Sequence, residues 1–176
     1  MEVLFNKTSI QNRCGRIVNR IVKDHKLEYP NQPIIMIGVL NGALPFLNDL
    51  SRRIDQRNKV EVIIDTLECK SVVGVFKRVK PKITKFPSID LSHRHIILVE
   101  DIIDSGATIN HIHDELIKKY KGISITTCTF IHRTCSNSII PTYVGKEVND
   151  PDAWLLGYGM DDEDGTKRNL NQIYVK

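Results

Sequence analysis

Two short apolar runs constrain the fold of this chain more than any other feature. Residues 34–39 read IIMIGV and residues 96–100 read IILVE, both too short for a helix and rich in branched side chains. Apolar runs without polar alternation are typical of strands buried on both faces of a parallel sheet. Each run is followed by turn residues and then by apolar residues at helical spacing. This alternation predicts an α/β fold around a mainly parallel twisted sheet flanked by helices.

The remaining segments add elements to the same domain. Helical spacing of apolar residues predicts helices over residues 9–26, 45–54 and 109–120. Further strands are predicted at residues 60–66, 123–131, 143–144, 154–158 and 173–175. Residues 67–90 contain six basic residues and two prolines, which favours a flexible flap. No repeat or linker divides the sequence, so residues 1–176 are interpreted as a single domain.

Charge and cysteine content restrict the class of protein. The 25 basic and 21 acidic residues give a net charge of +4, which suits small anionic ligands and does not demand a nucleic-acid partner. The four cysteines show no CxxC spacing, which argues against zinc. No segment resembles a signal peptide or a membrane span, so we expect a cytoplasmic protein with free thiols. His93, His95, His111 and His113 are interpreted as surface histidines.

Residues 96–108, IILVEDIIDSGAT, carry the most chemical information. An apolar strand runs into two adjacent carboxylates, Glu100 and Asp101. Five residues then lead into a helix: Asp104, Ser105, Gly106, Ala107 and Thr108. A glycine turn, two hydroxyl groups and the free N–H groups of a helix start predict a phosphate cradle at the carboxyl end of a strand. The paired carboxylates suit ribose hydroxyls or a magnesium ion.

These thirteen residues closely resemble the phosphoribosyl-pyrophosphate motif of type I phosphoribosyltransferases, and VEDIIDSG is most similar to the hypoxanthine–guanine branch. Neither a Walker loop nor a GxGxxG fingerprint occurs. Three other stretches resemble family segments in the family's order: IGVLNGALPF the pyrophosphate loop, FIHRT the purine-contacting strand end, and AWLLGYGMD with RNLNQIYV the hood over the base. The resemblance implies the type I phosphoribosyltransferase fold, with a flap at about 67–90 and a hood of terminal segments, the C-terminal one at about 150–176.

The same resemblance implies a purine salvage enzyme. It would transfer 5-phosphoribosyl from phosphoribosyl pyrophosphate to hypoxanthine or guanine, giving IMP or GMP and pyrophosphate, with Mg²⁺ and as a homodimer or homotetramer. Asp104 corresponds to the proton acceptor near purine N7, and residues 104–108 correspond to the 5-phosphate loop. The implied metal-side carboxylates are Glu100, Asp101 and Asp161. The implied pyrophosphate contacts are Leu40, Asn41, Gly42 and Arg168, and the implied purine contacts are His132, Trp154 and Leu155.

Three positions depart from the family pattern. Asn41 stands where the pyrophosphate loop usually has lysine, and His132 stands where a lysine usually contacts the purine 6-oxo group. Ser71 is followed by Val72, whereas the family's flap carries a Ser-Tyr pair. These departures leave open an altered base preference and a member that binds its ligands but hardly turns over. The net charge of +4 and the basic segment 67–90 also leave open a donor- or nucleotide-sensing regulator that binds RNA.

Overall fold

The computed structural model describes residues 1–58, 60–70, 73–74, 77–78, 81–134, 139–150, 153–162 and 164–176. The helices in these ranges are α1 Lys7–Glu28, α2 Leu44–Asn58 and α3 Ala107–Lys119. The strands are β1 Glu2–Phe5, β2 Ile34–Leu40, β3 Val62–Lys70, β4 Val73–Gly74, β5 Lys77–Arg78, β6 Lys82–Lys85, β7 His95–Ile103, β8 Ser124–Arg133, β9 Tyr143–Val148, β10 Leu155–Leu156 and β11 Ile173–Val175.

A six-stranded sheet forms the centre of the molecule, in the order β6-β3-β2-β7-β8-β9. All neighbouring pairs are parallel except β3–β6, which is antiparallel at the edge. Because β2 and β7 lie side by side, the loops that follow them meet at one edge of the sheet. The predicted α/β class with a mainly parallel sheet is therefore confirmed.

Helices cover both faces of this sheet. Met36 and Val99 pack with α1 and α2 on one face, whereas Ile37 and Leu98 pack with α3 on the other. Neighbouring residues of a strand point to opposite faces, so strands covered on both sides must be apolar throughout. This explains the two runs that dominate the sequence. None of the helices in the described ranges is long and apolar enough to cross a membrane.

The terminal segments build a second, small sheet. Strand β11 lies between β1 and β10 and pairs antiparallel with both. Phe5 of β1 packs edge-on against Phe130 of β8, with ring centroids 6.4 Å apart. The hood predicted from terminal segments thus rests on the same face of the main sheet as α1 and α2.

Several element boundaries differ from the predictions. β7 continues to Ile103 and β8 to Arg133, so Asp101 and His132 lie inside strands. The predicted strand over residues 154–158 is wrong beyond Leu156. Gly157, Tyr158 and Gly159 have φ angles of 90°, 52° and 104°, which belong to turns and not to strands. The short strand β1 has no counterpart among the predictions, because its partner lies at the other end of the chain.

The predicted flap is regular strand at both of its ends. β3 extends to Lys70, and β6 pairs with it through residues 82–85, with Leu67 and Ile83 buried. The Asp65 carboxylate accepts hydrogen bonds from the backbone N–H groups of Ser88 and Ile89, at 2.7 and 3.1 Å, which fixes the chain after β6. Ser71 and Val72, which stand in place of the Ser-Tyr pair, lie outside the described residues.

His95 is packed more closely than the prediction of a surface histidine implies. It is only partly exposed, and its ring stacks on Tyr29 with centroids 4.3 Å apart. Its Nε2 lies 2.8 Å from Thr126 Oγ1. Burial lowers the pKa of His95, and the nearby His25 lowers it further. The ring is therefore a packing element at the amino ends of the parallel strands.

Candidate active site

The loop between β7 and α3 forms a concave cleft at the carboxyl edge of the sheet. Residues 102–109 line this cleft together with Glu100. Gly106 caps the helix with a φ of 74°, a conformation that favours glycine, and α3 begins at the next residue. No acidic residue occupies the first turn of α3. The free N–H groups and the positive end of the helix dipole therefore point at a site suited to an anion.

The carboxylates Glu100 and Asp101 lie just before this loop and are both buried. Adjacent strand residues face opposite sides. Glu100 accordingly lines the cleft predicted to bind phosphate (the phosphate cleft), whereas the Asp101 carboxylate lies against Gly42 of the loop after β2. Burial raises the pKa of Glu100 well above its usual range, and the charge of Asp101 raises it further. A cation beside the pair would offset both effects.

The loop after β2 approaches Asp101 very closely. The peptide bond between Leu40 and Asn41 is cis, Asn41 is exposed and Gly42 is buried. A Cβ at Gly42 would lie 2.6 Å from Asp101 Cγ, so only glycine fits this position without a shift. The loop passes directly into α2, since Leu47 N donates to Ala43 O at 2.8 Å. The loop after β2 and the end of β7 are therefore two walls of one site.

The hood brings Arg168 and Asp161 to the same wall. Gly159 packs on Gly42: a Cβ at Gly159 would lie 2.9 Å from Gly42 C. Arg168 Nη1 donates to Gly159 O at 2.7 Å, and its Nη2 donates to Asp161 Oδ2 at 2.5 Å. Arg168 is thus one residue removed from the loop at Gly42. This geometry agrees with the predicted pyrophosphate contact, which remains a prediction.

The residues predicted to contact the purine lie at the end of β8 and the start of the hood. His132 is buried and pairs in register with Ile103, the residue before Asp104. Trp154 is 46% exposed, while Leu155 is buried in β10. Asp104, Ser105 and Ala107 are exposed on the facing loop, and Thr108 is half-buried. The predicted purine contacts and the predicted proton acceptor thus lie on neighbouring strands and loops.

Arg133 is a residue that the sequence interpretation missed. Its Nη1 donates to Asp150 O at 3.0 Å, and its Nη2 donates to Ala153 O. These bonds tie the strand end that carries His132 to the segment that carries Trp154. The signal was present, because Arg133 stands inside the FIHRT stretch. Its role in linking these two segments could not be inferred without knowing which carbonyls accept its hydrogen bonds.

The donor set suits a magnesium ion that substrate oxygens help to hold. Within the described ranges no group of three or more His, Cys, Asp and Glu side chains could bind a metal by itself. Mg²⁺ is usually held by one or two carboxylates together with substrate phosphates and water, not by an all-protein cage. Glu100 and Asp101, placed between the phosphate cleft and the loop at Gly42, fit that pattern.

Comparison with known proteins agrees with this architecture. The family model described as a phosphoribosyl transferase domain matches residues 7–163. The hypoxanthine-guanine phosphoribosyltransferase of Aquifex aeolicus is 31% identical, covering 99% of this chain and 94% of the relative. The one from Staphylococcus aureus is 29% identical, covering 91% of this chain and 85% of the relative.

Two solved structures show the same likeness. A crystal structure of a hypoxanthine phosphoribosyltransferase from Staphylococcus aureus has a TM-score of 0.84 at 27% identity, covering 99% of this chain and 90% of that one. A hypoxanthine-guanine phosphoribosyltransferase from Bacillus anthracis has a TM-score of 0.85 at 27% identity, covering 100% and 98%. Matched over nearly its whole length in sequence and in fold, the chain belongs to the phosphoribosyl transferase domain family.

Proposed function

We propose that this chain transfers the 5-phosphoribosyl group of phosphoribosyl pyrophosphate to hypoxanthine or guanine, forming IMP or GMP and releasing pyrophosphate. Three of the relatives described above are named hypoxanthine-guanine phosphoribosyltransferase and one hypoxanthine phosphoribosyltransferase, which favours an enzyme over an RNA-binding regulator. The observation that carries the proposal is the pair of adjacent buried carboxylates, of which Glu100 lines the phosphate cleft and Asp101 lies against the loop at Gly42. We also propose that the protein is a cytoplasmic homo-oligomer, as the family resemblance implies.

Donor binding uses the two walls of the site. The 5-phosphate binds the N-terminus of α3, where Ser105 and Thr108 add hydroxyl donors to the backbone N–H groups. The ribose hydroxyls bind Glu100 and Asp101. Pyrophosphate binds the loop of residues 40–42 and Arg168, whose guanidinium group matches phosphate geometry. Asn41 contributes no positive charge, so Arg168 must stabilise more of the negative charge of pyrophosphate.

Bond cleavage separates charge along this axis. The bond between ribose C1 and pyrophosphate breaks, leaving positive charge on the sugar and negative charge on the leaving group. One Mg²⁺ at Glu100 and Asp101 and a second at Asp161, each held together with substrate oxygens, would supply the charge that neutralises pyrophosphate. Arg168, preoriented by its bond to Gly159 O, stabilises the same developing charge without reorganising.

The purine is held and deprotonated from the other side. Trp154 offers an exposed ring for stacking, and the Leu155 carbonyl meets the 2-position of the base. His132 contacts the 6-oxo group, where an imidazole N–H can donate as a lysine would. Asp104 accepts the proton that leaves the purine as the new bond forms. Since a ring nitrogen can also accept, His132 is the residue on which an altered base preference would depend.

The Asp104→Asn variant tests this assignment against the wild type. We expect turnover of hypoxanthine to fall by about 10²- to 10⁴-fold, the usual range for losing a general base. The dissociation constant for phosphoribosyl pyrophosphate, measured by calorimetry with Mg²⁺, should stay nearly constant. Asp114→Asn on α3 removes the same charge from an exposed position and should change neither quantity. Equal loss of donor binding and turnover would contradict the proton-acceptor role.

A further inference from the structure

The hood contains a turn with an unusual residue at its centre. Gly157 N donates to Met160 O at 2.9 Å, and Met160 N donates to Gly157 O at 3.2 Å, which closes residues 157–160 into a tight turn. The two central residues, Tyr158 and Gly159, have φ angles of 52° and 104°. Turns with positive φ at both centres normally carry Asn, Asp or Gly there. A bulky tyrosine in the left-handed region is an outlier that calls for a compensating interaction.

The Tyr158 side chain supplies that interaction. Its ring is buried and meets Phe130 edge-on, with centroids 5.2 Å apart. Its hydroxyl donates to Asp49 Oδ2 at 2.8 Å, and Gln11 Nε2 donates to the same oxygen at 2.9 Å. Cys14 Sγ lies 3.4 Å from the hydroxyl. Because the phenol uses its only proton in the hydrogen bond to Asp49, the thiol is the donor in the contact between Cys14 and Tyr158.

Both groups keep their protons at any physiological pH. Burial raises the pKa of the Tyr158 phenol, and the neighbouring Cys14 and Asp49 raise it further. Burial also raises the pKa of Cys14 to about 11. The phenol and the thiol therefore stay uncharged and keep their protons available as hydrogen-bond donors.

The bond links two parts of the pyrophosphate wall. Asp49 belongs to α2, which continues directly from the loop at Gly42. On the other side of Tyr158, Gly159 packs on Gly42 and accepts a hydrogen bond from Arg168. Tyr158 thus stands at the corner where the hood turn, the loop at Gly42 and Arg168 meet.

From this geometry we infer that Tyr158 is a positioning residue for pyrophosphate. The hydrogen bond from its hydroxyl to Asp49 keeps residues 157–160 packed against Gly42. This packing fixes the Gly159 carbonyl, which orients Arg168. The inference rests on the proposed function, because it assigns the hood turn to the leaving-group end of that site. Without the hydroxyl the strained turn can relax, and Arg168 loses the fixed partner that aims it at the leaving group.

The test compares two tyrosines that make the same kind of bond. Tyr158→Phe removes the hydroxyl next to the site, and Tyr143→Phe removes one that donates to Asp24 Oδ2 at 3.1 Å from the amino end of β9. We expect Tyr158→Phe to raise the KM for pyrophosphate in the reverse reaction from IMP by about five- to tenfold, the factor for one lost hydrogen bond. The dissociation constant for phosphoribosyl pyrophosphate with Mg²⁺ should rise in parallel, while the KM for hypoxanthine stays constant. Tyr143→Phe should lower the melting temperature and change none of these constants.

A second pair of variants separates loss of the hydrogen bond from a general loss of folding. Asp49→Asn retains an oxygen that can accept from the phenol and should preserve donor affinity, whereas Asp49→Ala should reproduce the Tyr158→Phe values. The inference is overturned if Tyr158→Phe lowers the melting temperature but changes neither the KM for pyrophosphate nor the dissociation constant for phosphoribosyl pyrophosphate. It is also overturned if the KM for hypoxanthine rises instead. If the wild-type chain binds the donor but forms no nucleotide, the proposed function is wrong, and the donor dissociation constants of the four variants still decide the role of Tyr158.

Discussion

The close approach of Gly42 to Asp101 makes Gly42→Ala the most informative single substitution. The added Cβ would lie 2.6 Å from Asp101 Cγ, whereas ordinary contact begins at 3.4 Å, so carboxylate or loop must move by at least about 0.8 Å. A misplacement of about 1 Å can cost roughly 10²-fold in rate. We therefore expect kcat/KM for phosphoribosyl pyrophosphate to fall by about 30- to 100-fold in steady-state assays with hypoxanthine.

Gly38→Ala is the matched control, since it adds the same methyl group four residues earlier, inside strand β2. Its Cβ would lie 2.7 Å from Leu47 Cδ2, the end of a flexible side chain in the core. Overpacking should cost each variant about 1–3 kcal/mol, or roughly 2–12 °C in melting temperature. Only Gly42→Ala should lose donor affinity. If Gly42→Ala keeps the wild-type kcat/KM, the Asp101 carboxylate does not face the pyrophosphate loop and the site geometry described above is wrong.

Three further predictions follow from individual contacts. Arg133→Ala should raise the KM for hypoxanthine by about tenfold, because the segment before Trp154 loses its hydrogen bonds to the end of β8. Donor affinity measured by calorimetry should not change. An unchanged KM would show that these hydrogen bonds do not position Trp154. His132→Lys should raise kcat/KM for hypoxanthine and guanine relative to adenine, and a constant ratio would remove His132 from base recognition. Cys14 and Cys128 should resist a thiol reagent at pH 8 until guanidinium unfolds the chain, because burial raises the pKa of Cys14 to about 11 and that of Cys128 well above its usual range. Rapid labelling of either residue in the native protein, located by peptide mass spectrometry, would contradict this packing.

The central sheet could be predicted from sequence because burial on two faces leaves a local trace. Residues 34–39 and 96–100 are apolar at every position but a glycine and the final glutamate, since α1 and α2 cover one side and α3 covers the other. The turn between β7 and α3 could be predicted equally well, because Gly106 and the apolar spacing after it indicate a turn and a helix start at the end of a buried strand.

The hood was harder to predict because its contacts span the whole chain. β1 pairs with β11, more than 160 residues later, so nothing near Glu2–Phe5 announces a strand. The Tyr158 turn depends on Asp49, 109 positions earlier, and a tyrosine gives no local sign of positive φ. Arg133 reaches carbonyls 17 and 20 residues away. Such interactions are visible only once the fold has brought distant segments together.

The most direct test of the account is a panel of bases offered to the wild-type protein. Hypoxanthine, guanine, xanthine, adenine and uracil would each be incubated with phosphoribosyl pyrophosphate and Mg²⁺, and nucleotide and pyrophosphate formation followed by chromatography. We expect IMP and GMP as products, with pyrophosphate released in equal amount. These products would show that His132 can serve where the family has lysine. Donor binding without nucleotide formation from any of the five bases would contradict the proposed function.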